Sequence, residues 1–146
     1  MRGSTQDFSP TGNRVLILDS GAIFAGTPLA SFYKSKTTPS VIEEVRDPDS
    51  RRTLEMLIAS GRLNIEEPPL DALRQVERTA ARLGLTNKLS KTDLDVAALA
   101  LHYRCKGLDA LVATDDYTLQ LLLEKLDIRW VKVRYRGLYR GLKRHG

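Results

Sequence analysis

Short unbroken apolar runs alternate along this chain with longer stretches in which apolar residues return every three or four positions. The runs read as strands buried on both faces and the stretches as helices, because side chains repeat at about 2 residues in a strand and about 3.6 in a helix. Arg14 to Asp19 (RVLILD) is a first strand closed by an acid, and Ser20-Gly21 turns the chain into a helical turn over Ala22 to Ala25 before Gly26, Thr27 and Pro28 break it. Thr38-Pro39 opens a helix, with Thr as cap and Pro at the first helical position, and Val41, Ile42 and Val45 form its buried stripe. At about 100° per residue Glu44 flanks that stripe, whereas Glu43 points nearly away from it. Asp47-Pro48-Asp49 ends this helix, Arg51 to Ser60 makes another that closes at Gly61, and Leu63 to Ile65 is a short strand. Pro68-Pro69 then starts a longer helix with Leu70, Leu73, Val76, Ala80 and Leu83 on one face and Gly84 as its stop.

The densest signal lies between Leu89 and Gln120. Ser90 and Asp93 form a capping box, after which Leu94, Ala98 and Leu101 recur at helical spacing until Gly107 ends the helix. Ala110 to Ala113 is a strand, and Thr114-Asp115-Asp116 opens a further helix through Leu119, Leu122, Leu123 and Leu126. Ile128 to Val133 is a last strand, followed by the direct repeat Tyr135-Arg136-Gly137-Leu138 and Tyr139-Arg140-Gly141-Leu142. This alternation predicts a three-layer α/β domain with a central, mostly parallel sheet of four to five strands. The domain is expected to run over residues 14–133, after a polar segment 1–13 that is disordered or partly vector-derived and before a basic tail, residues 134–146.

Composition changes this picture little. The 146 residues, 42% hydrophobic and 28% charged, suit one soluble domain. No membrane-length apolar run and no secretion signal stand out, so a cytoplasmic location is expected. Cys105 is the only cysteine and the two histidines are scattered, which excludes an internal disulfide and a zinc site. Charge is more informative. The net charge is +5, and the tail alone holds the excess: Arg134, Arg136, Arg140, Lys143 and Arg144 occur there without an acid. Cations beside Tyr135 and Tyr139 suit a phosphate backbone and its bases, although a charge run alone is more simply a solvated terminus.

Four acids, Asp19, Glu44, Asp93 and Asp116, stand at strand ends and helix starts, with Asp115 adjacent. Asp93 is turned inward along a side lined by Ala97 and Ala100, whereas Asp95, about 200° round the helix, is expected to face out. Asp19 closes the most apolar segment of the chain with no helix end of its own to satisfy it. Two carboxylates about 4 Å apart at an effective dielectric near 20 repel by roughly 4 kcal/mol, so such a gathering calls for a cation. All-oxygen ligands select Mg²⁺ or Mn²⁺, ions that activate water in phosphodiester cleavage. No Ser-His-Asp arrangement and no phosphate-binding glycine loop competes.

Four ordered segments resemble the PIN domain: LILDSGAIFAG (Leu16–Gly26), TPSVIEEVRD (Thr38–Asp47), LSKTDLDVAALAL (Leu89–Leu101) and LVATDDYTLQ (Leu111–Gln120). Within PIN proteins the chain is most similar to the archaeal Nob-type ribosomal RNA maturation endonucleases. The resemblance implies a Mg²⁺- or Mn²⁺-dependent endoribonuclease that leaves 5′-phosphate and 3′-hydroxyl ends, with the 3′ end of the small-subunit ribosomal RNA precursor as substrate. It implies Asp19, Glu44, Asp93 and Asp116 as metal-binding acids, Ser20 and Thr114 in support, and Asp115 as an assisting ligand. A pre-ribosomal particle and a homodimer are implied partners. Nob-type proteins typically carry a zinc ribbon after the PIN domain, which a chain with one cysteine cannot form. Either the chain is truncated, the ribbon is a separate protein, or this is a stand-alone relative with another RNA target.

Two other readings remain beside this one: a toxin-type PIN ribonuclease held by an antitoxin, and a PIN module that binds RNA or an assembly partner without cutting. The retained acids weigh against the last. A phosphotransferase using Asp19 lacks its D-x-D-x-T pattern, since Asp19-Ser20-Gly21 stands there.

Overall fold

The computed structural model describes residues 13–25 and 34–133. The expected break at Gly26 to Pro28, the basic tail with its repeat, and all but the last residue of the polar N-terminal segment lie outside the described residues.

The apolar run at the start forms β1 (Arg14–Leu18) and the one after Gly107 forms β4 (Asp109–Ala113). They pair in parallel over their whole length, Arg14 opposite Asp109 and Leu18 opposite Ala113, and the last four residues of each are buried. That continuous burial is what a strand covered on both faces requires. Between and after them lie α1 (Ser20–Phe24), β2 (Ser35–Thr37), α2 (Pro39–Glu44), α3 (Pro48–Ala59), β3 (Leu63–Ile65), α4 (Leu70–Arg82), α5 (Lys91–Cys105), α6 (Tyr117–Lys125) and β5 (Arg129–Val131). The five strands lie in the order β3-β2-β1-β4-β5, and every pairing is parallel.

Three expectations are corrected. Strand β2 is not expected from the sequence because Ser35-Lys36-Thr37 has no apolar run; it is held by its neighbours on both sides, and the buried Thr37 Oγ1 donates to the Leu18 carbonyl at 2.7 Å. The last strand, β5, covers only the middle of the stretch from Ile128 to Val133. On α4 the expected stripe is largely present, with Val76 and Ala80 buried and Leu73 and Leu83 packed against the core, but Ala72 and Thr79 join the buried face and Leu70 is 58% exposed. Leu70 is the first residue of α4, so no preceding turn of the helix lies beneath its side chain.

The helix α5 is apolar on nearly all sides: Val96 to Leu101 are all buried. It packs on β1 and β4 and is flanked by α2, α4 and α6. Gly84 (φ +73°) and Gly107 (φ +89°) close α4 and α5 in the left-handed conformation that lets the chain reverse into the next element. From β1 the chain moves outward to β2 and β3, then crosses to β4 and moves outward again to β5. The direction of winding thus switches between β1 and β4, and the crevice at the C-terminal ends of those two strands is where open α/β sheets place their sites.

Candidate active site

Asp19 leaves the end of β1 into that crevice. It caps α1, its Oδ1 accepting the Ala22 N–H at 2.9 Å, and it is only 8% exposed. The expectation that it has no helix end to satisfy it is thereby corrected; the apolar turn that follows is a five-residue helix, too short to announce a cap in the sequence. The cap does not offset burial. Loss of water pushes the carboxyl from its ordinary 3.8 up to about 6, against the Thr114 hydroxyl and the Ala22 N–H, with the charges of Asp93 and Asp115 adding to the rise.

Asp93 comes to the same crevice from α5. The capping box is present as expected: the Ser90 N–H donates to Asp93 Oδ2 at 2.9 Å and the Asp93 N–H to Ser90 Oγ at 3.1 Å. Its carboxyl is also raised, first by burial and then by the charges of Asp116 and Glu44, while both Ser90 contacts oppose the rise. Glu44 ends α2 and is exposed, but its Oε2 accepts the Thr92 hydroxyl at 2.7 Å, which turns it toward α5. Asp116 caps α6, accepting the Leu119 N–H at 3.1 Å, and is exposed. Asp115, also exposed, accepts the Val133 N–H at 2.7 Å.

Thr114 ties these groups together. Its hydroxyl donates to Asp19 and accepts the Asp116 N–H at 3.0 Å, while Gln120 Nε2 holds its carbonyl at 3.0 Å. Ser20, half-buried, is the first residue of α1. Three helix N-termini, those of α1, α5 and α6, therefore carry an acid at the crevice, and their partial positive charge makes the gathering tolerable. The principal charges bearing on Asp19 and Asp93 are nonetheless all carboxylates.

A second expectation in this region fails. Asp95 does not face out: it is 3% exposed, its Oδ2 accepting Ser40 Oγ–H at 2.7 Å and Lys91 Nζ–H at 2.9 Å. It does lie round the helix from Asp93, but a helix apolar on nearly all sides has a neighbour there too. Thr92 and Ser40 are site residues that the sequence reading misses. The available signal is spacing, since Ser40 lies four residues before Glu44.

The donor set fits a hard dication: oxygens alone, mutually repelling and without a cation among their principal charges. Among the described residues no group of three or more His, Cys, Asp or Glu side chains stands arranged to hold a metal ion. The acids ring the crevice with part of their oxygen capacity held by helix N–H groups and hydroxyls.

A family model described as the PIN domain of ribonuclease matches residues 16–103, which include Asp19, Glu44 and Asp93. The chain belongs to the PIN-domain family. Among PIN-domain relatives, Ribonuclease VapC3 of Aeropyrum pernix is 47% identical over 137 residues, covering 94% of this chain and 99% of that protein. Endoribonuclease Nob1 of Pyrococcus abyssi is 38% identical over 129 residues, covering 88% of this chain and 71% of that one. The crystal structure of VapBC2 from Rickettsia felis bound to a promoter DNA fragment superposes with a TM-score of 0.54 at 13% identity, over 81% of this chain and 98% of that one, a likeness of fold. PIN nucleases generally use divalent metal ions.

Proposed function

We propose that this PIN-domain ribonuclease is a Mg²⁺- or Mn²⁺-dependent endoribonuclease of the cytoplasm that matures the 3′ end of small-subunit ribosomal RNA. The observation that carries the reading is the gathering of Asp19, Glu44, Asp93, Asp115 and Asp116 at the switch point, where carboxylates are one another's chief electrostatic neighbours. A dication held by Asp19, Glu44, Asp93 and Asp116 would supply a water that is nucleophilic near neutral pH and a counter-charge for the leaving oxygen. Thr114 orients Asp19, and Ser20 borders it. Asp115 accepts the Val133 N–H and adds its charge beside Asp19. The Nob1 relatives and the T-P-x-V-x-E-E-V-R-D, L-S-x-T-D and T-D-D-Y-x-x-Q strings support ribosomal RNA as the substrate, within a pre-ribosomal particle or beside a separate zinc-ribbon protein.

The basic tail fits this reading. Val133, the residue before it, is buried and donates its N–H to Asp115, and Arg134, Arg136, Arg140, Lys143 and Arg144 follow it in sequence. If they grip phosphates, deleting residues 134–146 weakens RNA binding and flattens its salt dependence, by about 0.7 in log–log slope for every phosphate of single-stranded RNA that the tail had neutralised. An unchanged slope removes the tail from the substrate path.

A second reading, a toxin-type ribonuclease held by an antitoxin, is favoured by the VapC3 relative, whose length the chain spans almost entirely. One assay separates them. Wild-type protein with Mn²⁺ is offered a precursor spanning the small-subunit 3′ end and, separately, transfer RNA, and the product ends are mapped. Single cuts in the precursor carrying 5′-phosphates support the first reading, and preferential cutting of transfer RNA supports the second. Asp93→Asn loses more than roughly a hundredfold in rate, since partners outside the ligands already cost 10–100-fold in metal sites. Cleavage undiminished in this variant or in EDTA overturns both.

A further inference from the structure

Among the described residues two side-chain hydrogen bonds cross from α2 to α5, and one of them holds no acid that the proposed reaction uses. Glu44 meets Thr92, and one turn earlier on α2 Ser40 meets Asp95, each at 2.7 Å. Ser40 and Glu44 are four residues apart and Thr92 and Asp95 three, so each pair shares a face of its own helix. The earlier residue of one helix meets the later residue of the other. The two contacts are rungs between antiparallel helices, and Asp93, next to Thr92, lies beside the second rung.

Beyond these rungs, helix α2 is held at its C-terminal end, where Arg51 Nη1 donates to the Ile42 carbonyl at 3.3 Å and the Val45 carbonyl at 3.1 Å. It is six residues long, and Val41 is its only fully buried member. Helices of this length are set by their tertiary contacts. Its start is held to itself, with Thr38 Oγ1 3.1 Å from Ser40 Oγ and capping the Val41 N–H. Asp95, by contrast, is rigidly embedded in the core helix and is 3% exposed. Burying a carboxylate there is costly, and the cation it meets, Lys91, is on a side chain 74% exposed, where pairing contributes little. An apolar residue would pack as well against α2 and would offer Ser40 nothing.

We propose that Asp95 is a positioning residue for metal-dependent cleavage: through Ser40 it fixes α2 against α5 and so sets how far Glu44 stands from Asp93. This deepens the reading of those acids as ion-holding groups and rests on it. It assigns Asp95 no contact with ion or RNA.

The test measures Mn²⁺ binding calorimetrically without RNA, and cleavage kinetics alongside, in the full chain. Ser40→Ala and Asp95→Ala are expected to weaken Mn²⁺ binding roughly 10–100-fold. They lower kcat at limiting Mn²⁺, regain it at high Mn²⁺, and leave KM for RNA within about twofold. The double variant is no worse than the weaker-binding single, because both remove the same hydrogen bond. Asp95→Asn, which keeps an oxygen for Ser40, restores most of the binding. Lys91→Met leaves Mn²⁺ binding within about twofold of wild type, though it lowers stability by leaving the buried carboxylate with Ser40 alone. Ser40→Ala retains the Asp95–Lys91 pair and carries the test if Asp95→Ala does not fold. Unchanged Mn²⁺ binding in Ser40→Ala, or a double variant whose losses add, overturns the proposal while a cutting wild type and a dead Asp93→Asn leave the ribonuclease reading intact. A wild type that neither binds Mn²⁺ nor cuts defeats both.

Discussion

The two ends of the β1–β4 pair treat aspartate in opposite ways. At the N-terminal end Asp109 stands opposite Arg14, which reaches Oδ2 through Nε at 3.0 Å and Nη2 at 2.7 Å, and Arg129 Nη1 adds contacts at 3.1 and 3.3 Å. At the C-terminal end Asp19 is deeper in the protein and its charged neighbours are Asp93 and Asp115. Both are acids at strand ends in a covered sheet. One is neutralised by guanidinium forks within the fold, and that makes it a strut. The other is buried with carboxylates for charged company; burial first, and then those charges, raise its proton affinity, and no cation is among its principal neighbours.

The contrast breaks first at Asp19. Asp19→Asn is expected to lower Mn²⁺-dependent cleavage by more than roughly a hundredfold, a larger loss than any partner outside the acids should give. Its stability should move the other way. The folded carboxyl is raised from 3.8 to about 6, so the fold prefers its protonated form; that contribution is complete below about pH 4 and is lost as pH rises through 6. A rise of this size corresponds to roughly 3 kcal/mol at most. In EDTA, urea midpoints of Asp19→Asn should therefore gain on wild type between pH 4 and 7, and saturating Mn²⁺ should reverse the order. A wild-type curve parallel to that of Asp19→Asn would remove the electrostatic distinction between the two ends.

Asp109→Ala sharpens the comparison from the other side. It leaves two arginines facing each other, with side chains 10% and 30% exposed, and is expected to cost about 1–3 kcal/mol, below the roughly 3–5 of a fully buried pair. Cleavage per folded molecule and Mn²⁺ affinity should not change. The smallest effect belongs to a surface position: Leu70→Ala should shift stability by less than about 0.5 kcal/mol, whereas Val76→Ala on the buried face should cost about 1–3. Thermal melts of the two variants check this.

What can be read from the amino acids follows the same division. Strands β1 and β4, buried on both faces, announce themselves as apolar runs, and the Ser90–Asp93 box and the Thr38-Pro39 entry are local signals that survive into the fold. Strand β2 cannot be read, because Ser-Lys-Thr becomes a strand only through its two neighbours. Periodicity misplaces Asp95 for a related reason: it assigns a helix an outer face, and α5 is covered where Asp95 stands. Leu70 shows the converse, an apolar residue in register that stays largely in solvent. The four acids can be singled out by position, but the carboxylates' mutual influence, and the hydroxyls of Thr92 and Ser40 that aim two side chains, depend on distances between segments that the order of residues does not contain.

The pairing of β1 with β4 has a temporal side. Asp19, Glu44 and Asp93 are all made before β4, yet Thr114 and Asp116 follow it, and β1 has no neighbour on that side until β4 is added. Translation therefore delivers three of the acids early and the strand that completes the crevice late. Until that strand and the helix behind it have emerged, a nascent chain carries those acids without the crevice that gathers them.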